Sequence, residues 1–326
     1  MGQQDKSIVV TGGAGFIGSC VVRELNNRGV DNILVVDDLR EDAKWKNLVG
    51  KRFADCIHKT DLFNWLSAHG DSIGSIIHLG ACSDTLEEDA NYLLENNYRY
   101  SRWLAEFAFS RSVRFIYASS AATYGDGSLG FSDCHDTLES FSPLNMYGYS
   151  KHLFDLWLYR SGMLNRVTGM KYFNVFGPNE WHKGRMASAI VKMVPQAQKE
   201  KKISLFSSCH PEYKDGEQLR DFIYVKDVAA ITCDLLDAPP SGIVNVGTGV
   251  ATSWNSLARA VCKALCIEER IEYIGMPDDL KGKYQYFTEA KTGKLETILQ
   301  RKPSSYTIDE AVDDYVNQHL ITEKRW

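Results

Sequence analysis

The run SIVVTGGAGFIG, Ser7 to Gly18, constrains what this chain can fold into more than any other stretch. A β-branched strand pattern leads into Gly12, Gly15 and Gly18, and a helical pattern follows from Phe16 to Arg28. Positions without side chains let a backbone turn tightly and approach a pyrophosphate, whose charge a helix N-terminus favours. An ordinary tight turn would ask for the same glycines. What separates the two readings is an acid about 20 positions later, at the end of the next strand pattern. That acid is Asp37, in NILVVDD. A carboxylate there can hydrogen-bond a ribose 2′-hydroxyl and favours NAD, whereas a nearby cation can accept the 2′-phosphate of NADP. Arg40 and Lys44 are such cations and Asp38 adds a second negative charge, so charge alone leaves the choice open.

The rhythm continues through SIIHLGA, a helical pattern over Asn91 to Ser110, and RFIYASS. Strand, helix, strand in succession predicts an α/β fold, a Rossmann-like doubly wound parallel sheet with helices on both faces. Ligands on such sheets sit beyond the carboxyl ends of the strands. After GMKYFNVFGP, Gly169 to Pro178, the pattern loosens into a charged, loop-rich stretch. It tightens again at RDFIYV and GIVNVGTG, at a helix over Trp254 to Leu265 capped by Thr252 or Ser253, and at a helix over Thr307 to Leu320. The expected organisation is a dinucleotide-binding domain over 1–173, rejoined by about 220–248. A smaller, interleaved α/β substrate lobe takes 174–219 and 249–326, with a cleft between the two.

Composition removes several function classes. A net charge of −5 over 326 residues argues against gripping phosphate backbones, which needs clustered Lys and Arg. The longest apolar runs fall far short of the roughly 20 residues that span a bilayer, and no charged-then-apolar leader precedes the first strand. A soluble, cytoplasmic protein without membrane or nucleic-acid partners is expected. Its eight cysteines are scattered, without the close pairs of a zinc site or the density of a disulfide scaffold, so reduced packing residues and no metal are expected.

Chemistry enters at MYGYSK, Met146 to Lys151. Tyr147 and Lys151 stand at i and i+4 and share a helix face, while Tyr149 points elsewhere. An ammonium beside a phenol favours the phenolate, bringing a group of pKa about 10 towards use as a base. Isolated Y-x-x-x-K patterns are common on plain helices; here the glycine loop and YASSAATYG accompany it. In that stretch Ser119 and Ser120 end a strand at the ligand edge, where a hydroxyl can hold a substrate alcohol or ketone, or simply cap the next turn.

The glycine loop, the serine strand end and Y-x-x-x-K together resemble the extended short-chain dehydrogenase/reductase family of nucleotide-sugar epimerases. The similarity narrows to members acting on an ADP-linked heptose through HLGACS (78–83), LLENNYRYS (93–101), NMYGYSKHLFD (145–155), KYFNVFGPNEWHKGRMAS (171–188) and PDDLKGKYQYFTEA (277–290). The resemblance implies inversion at carbon 6 through a transient 6-keto sugar, hydride leaving to a tightly bound cofactor and returning on the other face. It assigns catalysis to Ser120, Tyr147, Lys151 and a second acid–base group, Lys183. Cofactor contacts are implied for Phe16, Ile17, Asp37, Asp38, Lys44, Lys59, Leu79, Gly80, Ala81, Cys82, Ser83 and Asn96, with NADP ahead of NAD through Lys44. For the ADP-sugar it implies Asn174, Val175, Arg185, Lys192, Phe206, Arg220 and Tyr284. Asp38, Leu79, Arg185 and Lys192 depart from the family's usual residues, and Ser207 to Leu219 is longer than usual. A homo-oligomer, a pentamer, is implied too.

Overall fold

A computed structural model describes residues 6–40, 43–277 and 285–326. Seven parallel strands, numbered with the rest in chain order, form the main sheet: β1 (Ser7–Thr11), β2 (Ile33–Asp37), β3 (Asp55–His58), β4 (Ile73–His78), β5 (Arg114–Ser120), β6 (Val167–Tyr172) and β10 (Gly242–Val246). Their spatial order is β10-β6-β5-β4-β1-β2-β3. Connections therefore run outwards in opposite directions from β1 and β4, and such a switch point leaves a crevice beyond the strand ends.

Period-2 alternation sends Val10, Val35, Ile77, Ile116 and Val244 to one face, and Val9, Leu34, Val36, Ile76 and Phe115 to the other. Helix α1 (Phe16–Asn27) lies against the first face, where α7 (Val225–Asp237) joins it. The second face takes α2 (Leu62–His69) and α4 (Tyr100–Ser110), the latter running on from α3 (Ala90–Leu93) through a π-helical turn at Leu94–Arg99. Helix α5 (Met146–Arg160) completes this layer. Asn145 starts it, its side-chain oxygen accepting the Gly148 N–H at 2.8 Å.

The strands outside the main sheet are short. Strands β7 (Asn174–Phe176), β9 (Leu219–Tyr224) and β11 (Ala251–Ser253) form a three-stranded sheet, and β8 (Ile203–Phe206) pairs in parallel with β12 (Ile271–Ile274). Helices α6 (Ala189–Glu200) and α8 (Trp254–Ala264) pack on them. Of the two cap candidates Ser253 is the one used, its hydroxyl accepting the Ser256 N–H at 3.2 Å. Thr307 and Glu310 close a reciprocal capping box on the helix that begins at Ile308. No helix among the described residues is long and apolar enough to cross a membrane.

A buried polar cluster fixes α5 to the sheet. Asp155 accepts the Tyr117 phenol at 2.8 Å and the Ser119 hydroxyl at 2.7 Å, and the Lys171 ammonium lies 3.5 Å away, with both ionic side chains fully buried. Lys171 also donates to Thr123 at 2.6 Å and sits over the Tyr124 ring at 4.3 Å. Removing one member of such a pair leaves a charge stranded in a dry core. Asp155→Ala is therefore expected to cost about 3–5 kcal/mol of unfolding free energy in urea titration, against under ~1 kcal/mol for an exposed carboxylate such as Glu106.

Candidate active site

Where β1 turns into α1, the backbone is shaped by what the glycines lack. Gly12 has φ +67°, and a Cβ on it would lie 2.7 Å from the Gly80 nitrogen; one on Gly18 would lie 2.0 Å from the Gly12 carbonyl oxygen. The ends of β1 and β4 thus nearly touch. Thr11 locks them, accepting the Gly80 N–H at 3.1 Å and meeting the buried His78 ring nitrogen at 2.6 Å. Gly15 starts α1 with no side-chain cap, which leaves the helix's first N–H groups directed at the crevice. Two adjoining cavities of about 320 and about 540 Å³ open there, both touching Gly12, Asp37, Lys44 and Lys183.

Asp37 ends β2 and is nearly buried. One carboxylate oxygen accepts the Ala14 N–H at 2.9 Å, the other the Asp38 N–H at 2.7 Å and the Lys44 ammonium at 2.8 Å. Asp38 faces Arg40 at 3.0 Å, His58 at 3.5 Å and Lys59 at 3.8 Å, and Lys59 donates to Asn96 at 2.9 Å. An uncapped helix N-terminus, a side-chain-free cradle and an acid at the second strand end suit a pyrophosphate and a ribose. The crevice fits a nicotinamide dinucleotide. Gly12, Gly15, Phe16, Ile17, Gly18, Asp37, Asp38, Lys44, Lys59, Asn96, the Leu79 to Ser83 turn and Lys151 all line it.

The larger cavity continues past Ser120, Tyr147 and Lys151. Ser119 and Ser120 divide as adjacent strand residues must, Ser119 into the core against Asp155 and Ser120 into the cleft. The Ser120 oxygen accepts the Ala122 N–H at 3.1 Å, so the residue is a cap as well as a cleft hydroxyl. Lys151 donates to the Ala118 carbonyl at 3.0 Å, and burial, opposed by Asp155, brings its ammonium down to about 8. Tyr147 differs from the sequence expectation: its pKa is raised, because burial outweighs the lowering influence of a hydrogen bond with Ser120. The Lys151 ammonium engages a backbone carbonyl instead of lowering the phenol. Tyr149 is exposed on another face of the helix.

Lys183 lies on the turn Trp181–Met186, its ammonium 5.4 Å from the centre of the Phe16 ring and held below its usual range by burial, against the pull of Glu180. The Glu180 carboxylate is buried and accepts Ser188 N–H and hydroxyl, both at 2.6 Å, and the Tyr315 phenol at 2.9 Å. Asn174 and Val175 line the larger cavity; Arg185, Lys192, Phe206 and Arg220 line neither. Arg185 is exposed and paired with Asp84 at 2.7 Å, Lys192 reaches the Arg185 carbonyl at 3.4 Å, and Arg220 is nearly buried, donating to the Leu219 carbonyl at 2.9 Å. Tyr284 lies outside the described residues.

Sequence reasoning missed several lining residues, among them His182, Met186 and Trp254, whose indole N–H is buried without a partner among the described residues. It also missed Asn97. Fully buried in the π-helical turn, Asn97 accepts the Cys82 N–H and donates to the Cys82 carbonyl, both at 2.9 Å, and donates to Ser150 at 2.9 Å, tying the cofactor-side turn to α5. The one signal for it was an Asn-Asn pair, a poor helix former, inside a helical pattern.

The chain is similar to known proteins over nearly its whole length. A protein of Nitratidesulfovibrio vulgaris named ADP-L-glycero-D-manno-heptose-6-epimerase is 52% identical over 317 residues, covering 96% of this chain and 97% of its own length. One of the same name from Fusobacterium nucleatum is 45% identical over 97% of this chain and 98% of its own. The crystal structure of the Helicobacter pylori protein of that name superposes with a TM-score of 0.81 at 28% identity, covering 97% of each chain. Residues 8–247 match the sequence pattern described as the NAD dependent epimerase/dehydratase family, from the first strand of the cofactor crevice to the last strand of the main sheet. The chain belongs to that family.

Proposed function

We propose that this protein inverts carbon 6 of the heptose in ADP-D-glycero-β-D-manno-heptose to give the L-glycero epimer. The observation that carries the reading is near full-length identity of about half to relatives named for that reaction, with an intact tyrosine–lysine pair on the cleft. A bound nicotinamide supplies a hydride acceptor and donor, which a C–H too weakly acidic for simple deprotonation requires. The chain's own residues handle protons and position. Tyr147 takes the proton of the 6-hydroxyl, Ser120 hydrogen-bonds its oxygen, and Lys151 holds positive charge near both. One acid on one side of a carbonyl cannot easily serve both orientations of a 6-keto sugar. Lys183, on the same cavity as Tyr147, serves the second, and its lowered pKa suits a group that must give up and regain a proton.

The reading extends to NADP as the resident nucleotide. Arg40, Lys44 and Lys59 set three cations against the carboxylates of Asp37 and Asp38 at the ribose end, a balance that favours a 2′-phosphate. It extends also to Asn174, Val175, Arg185, Lys192, Phe206, Arg220 and Tyr284 as sugar-nucleotide contacts, to a homo-oligomer, a pentamer by family likeness, and to the cytoplasm.

Two outcomes test this. Incubation with ADP-D-glycero-β-D-manno-heptose and no added cofactor should change the configuration at carbon 6 by NMR of the sugar, without net reduced nicotinamide in the absorbance; unchanged sugar with a fully loaded protein would overturn the substrate assignment. Tyr147→Phe and Lys183→Met should each remove most turnover with folding and cofactor content intact, and Ser120→Ala should cost roughly 3 kcal/mol of barrier, read from kcat. Full turnover in folded Lys183→Met would refute the second proton carrier.

A further inference from the structure

A chain of buried amides joins the cofactor loop to the turn that carries Lys183. Its centre is Asn47, 1% exposed, in the short 3-10 turn Ala43–Leu48. The Asn47 amide nitrogen donates to the Ala14 carbonyl at 3.0 Å, inside the glycine loop, and to the Asn179 carbonyl at 3.1 Å, and lies 3.4 Å from the His182 ring nitrogen. One side chain therefore reaches the loop between Gly12 and Gly15 and the residues that directly precede Glu180 and Lys183.

The amide is itself held. Arg325 donates to its oxygen at 2.9 Å and lies 5.0 Å above the Trp181 ring, on the same turn as Lys183. Asn179, fully buried, forms a reciprocal pair with the backbone of Trp326, receiving its N–H and donating to its carbonyl, each at 3.0 Å. A further Asn179 bond reaches Ser19 on α1 at 3.0 Å. Lys51 bridges the Asn47 and Trp326 carbonyls at 2.6 and 2.5 Å. Asn179 has φ +76°, an unfavourable value for a residue with a side chain, and the surrounding bonds compensate for it. Asn47 itself lines neither cavity.

We propose that Asn47, clamped by Arg325 and Asn179, is a positioning residue that couples the cofactor loop to the Lys183 turn, so that loss of its amide loosens the nucleotide and misplaces Lys183 together. The coupling follows from geometry: two carbonyls on different loops share one rigid donor group, so neither loop can shift by a hydrogen-bond length without losing it. The part concerning Lys183 rests on the two-carrier reading above; the part concerning the nucleotide does not.

The test is Asn47→Ala beside Asn47→Asp, which keeps size and the Arg325 contact but removes the donor. Nicotinamide nucleotide binding is measured by fluorescence titration of stripped protein, and kcat and KM for the ADP-sugar at saturating nucleotide. Both variants should bind nucleotide about tenfold more weakly, the scale of one or two lost hydrogen bonds, and lose kcat with KM for the sugar little changed. A purely structural Asn47 would lower Tm but leave nucleotide affinity and kcat at their unaltered values, and that result overturns the proposal. Should Asn47→Ala fail to fold, Arg325→Ala removes only the clamp and should weaken nucleotide binding in the same direction by a smaller factor; unaltered affinity there also overturns it. Lys183→Met separates the two readings: if it turns over normally, the second carrier is wrong, while a nucleotide defect in the Asn47 variants still stands.

Discussion

Helix α5 is pinned to strand β5 along a single stripe, and the positions of Ser120, Tyr147 and Lys151 on the cleft depend on it. Gly148, Lys151 and Asp155 follow one another at spacings of three and four, one face of a helix. Gly148 lets the helix approach so closely that a Cβ would lie 2.8 Å from the Ala122 carbonyl oxygen. Lys151 reaches the Ala118 carbonyl, and Asp155 takes the phenol and hydroxyl of Tyr117 and Ser119. The strand that presents Ser120 is thereby fixed to the helix that presents Tyr147. Drawing an ammonium and a carboxylate out of water costs several kcal/mol per ion. That cost is offset here by hydrogen bonds at each charged group, with Lys171 as the second cation for Asp155.

The electrostatics of the cleft follow from the same burial. Tyr147 is pushed up, Lys151 down to about 8, and Lys183 down, each chiefly by loss of water. A phenol and two ammonium groups that would ordinarily titrate close together are thus driven apart, Tyr147 holding its proton more tightly and the two lysines releasing theirs more readily. On the cofactor side charge is arranged differently. Asp37 and Asp38 are surrounded by cations while the opening of α1 is left uncapped, so the site presents backbone N–H groups to one part of a dinucleotide and mixed charge to another. The two halves meet at Gly12 and Gly80, where absence of side chains lets two strand ends come within van der Waals contact.

Much of this was legible in the sequence, and what was not has identifiable causes. The strands around Val9, Val35, Ile76 and Phe115 are apolar runs between turn signals, buried on both faces, and the glycines of the first loop mark a place where side chains cannot be tolerated. Tyr147 and Lys151 were legible because helical spacing and a companion loop agree. The strands outside the main sheet were read only coarsely, since β7 and β11 are three residues long and β8 and β12 four, too short for a period to show. Asp155 and Lys171 gave no signal of their own, because a charged residue in an apolar strand such as GMKYF finds its partner only through tertiary structure. The direction of the Tyr147 shift was misjudged for a related reason: spacing shows that a lysine is near, but not that a backbone carbonyl holds it. Lys183 depended wholly on resemblance, since a lysine in a glycine-containing loop looks like any solvated one.

With Tyr147 and Lys183 moving only protons and the nicotinamide carrying hydride, the hydrogen removed from carbon 6 comes back to carbon 6 without passing through water. The most direct measurement uses ADP-heptose deuterated at that carbon, turned over in ordinary water, with the label in the inverted product read by mass spectrometry and NMR. Full retention of deuterium at carbon 6 is the predicted result; product in which that deuterium has been replaced by solvent hydrogen would contradict it.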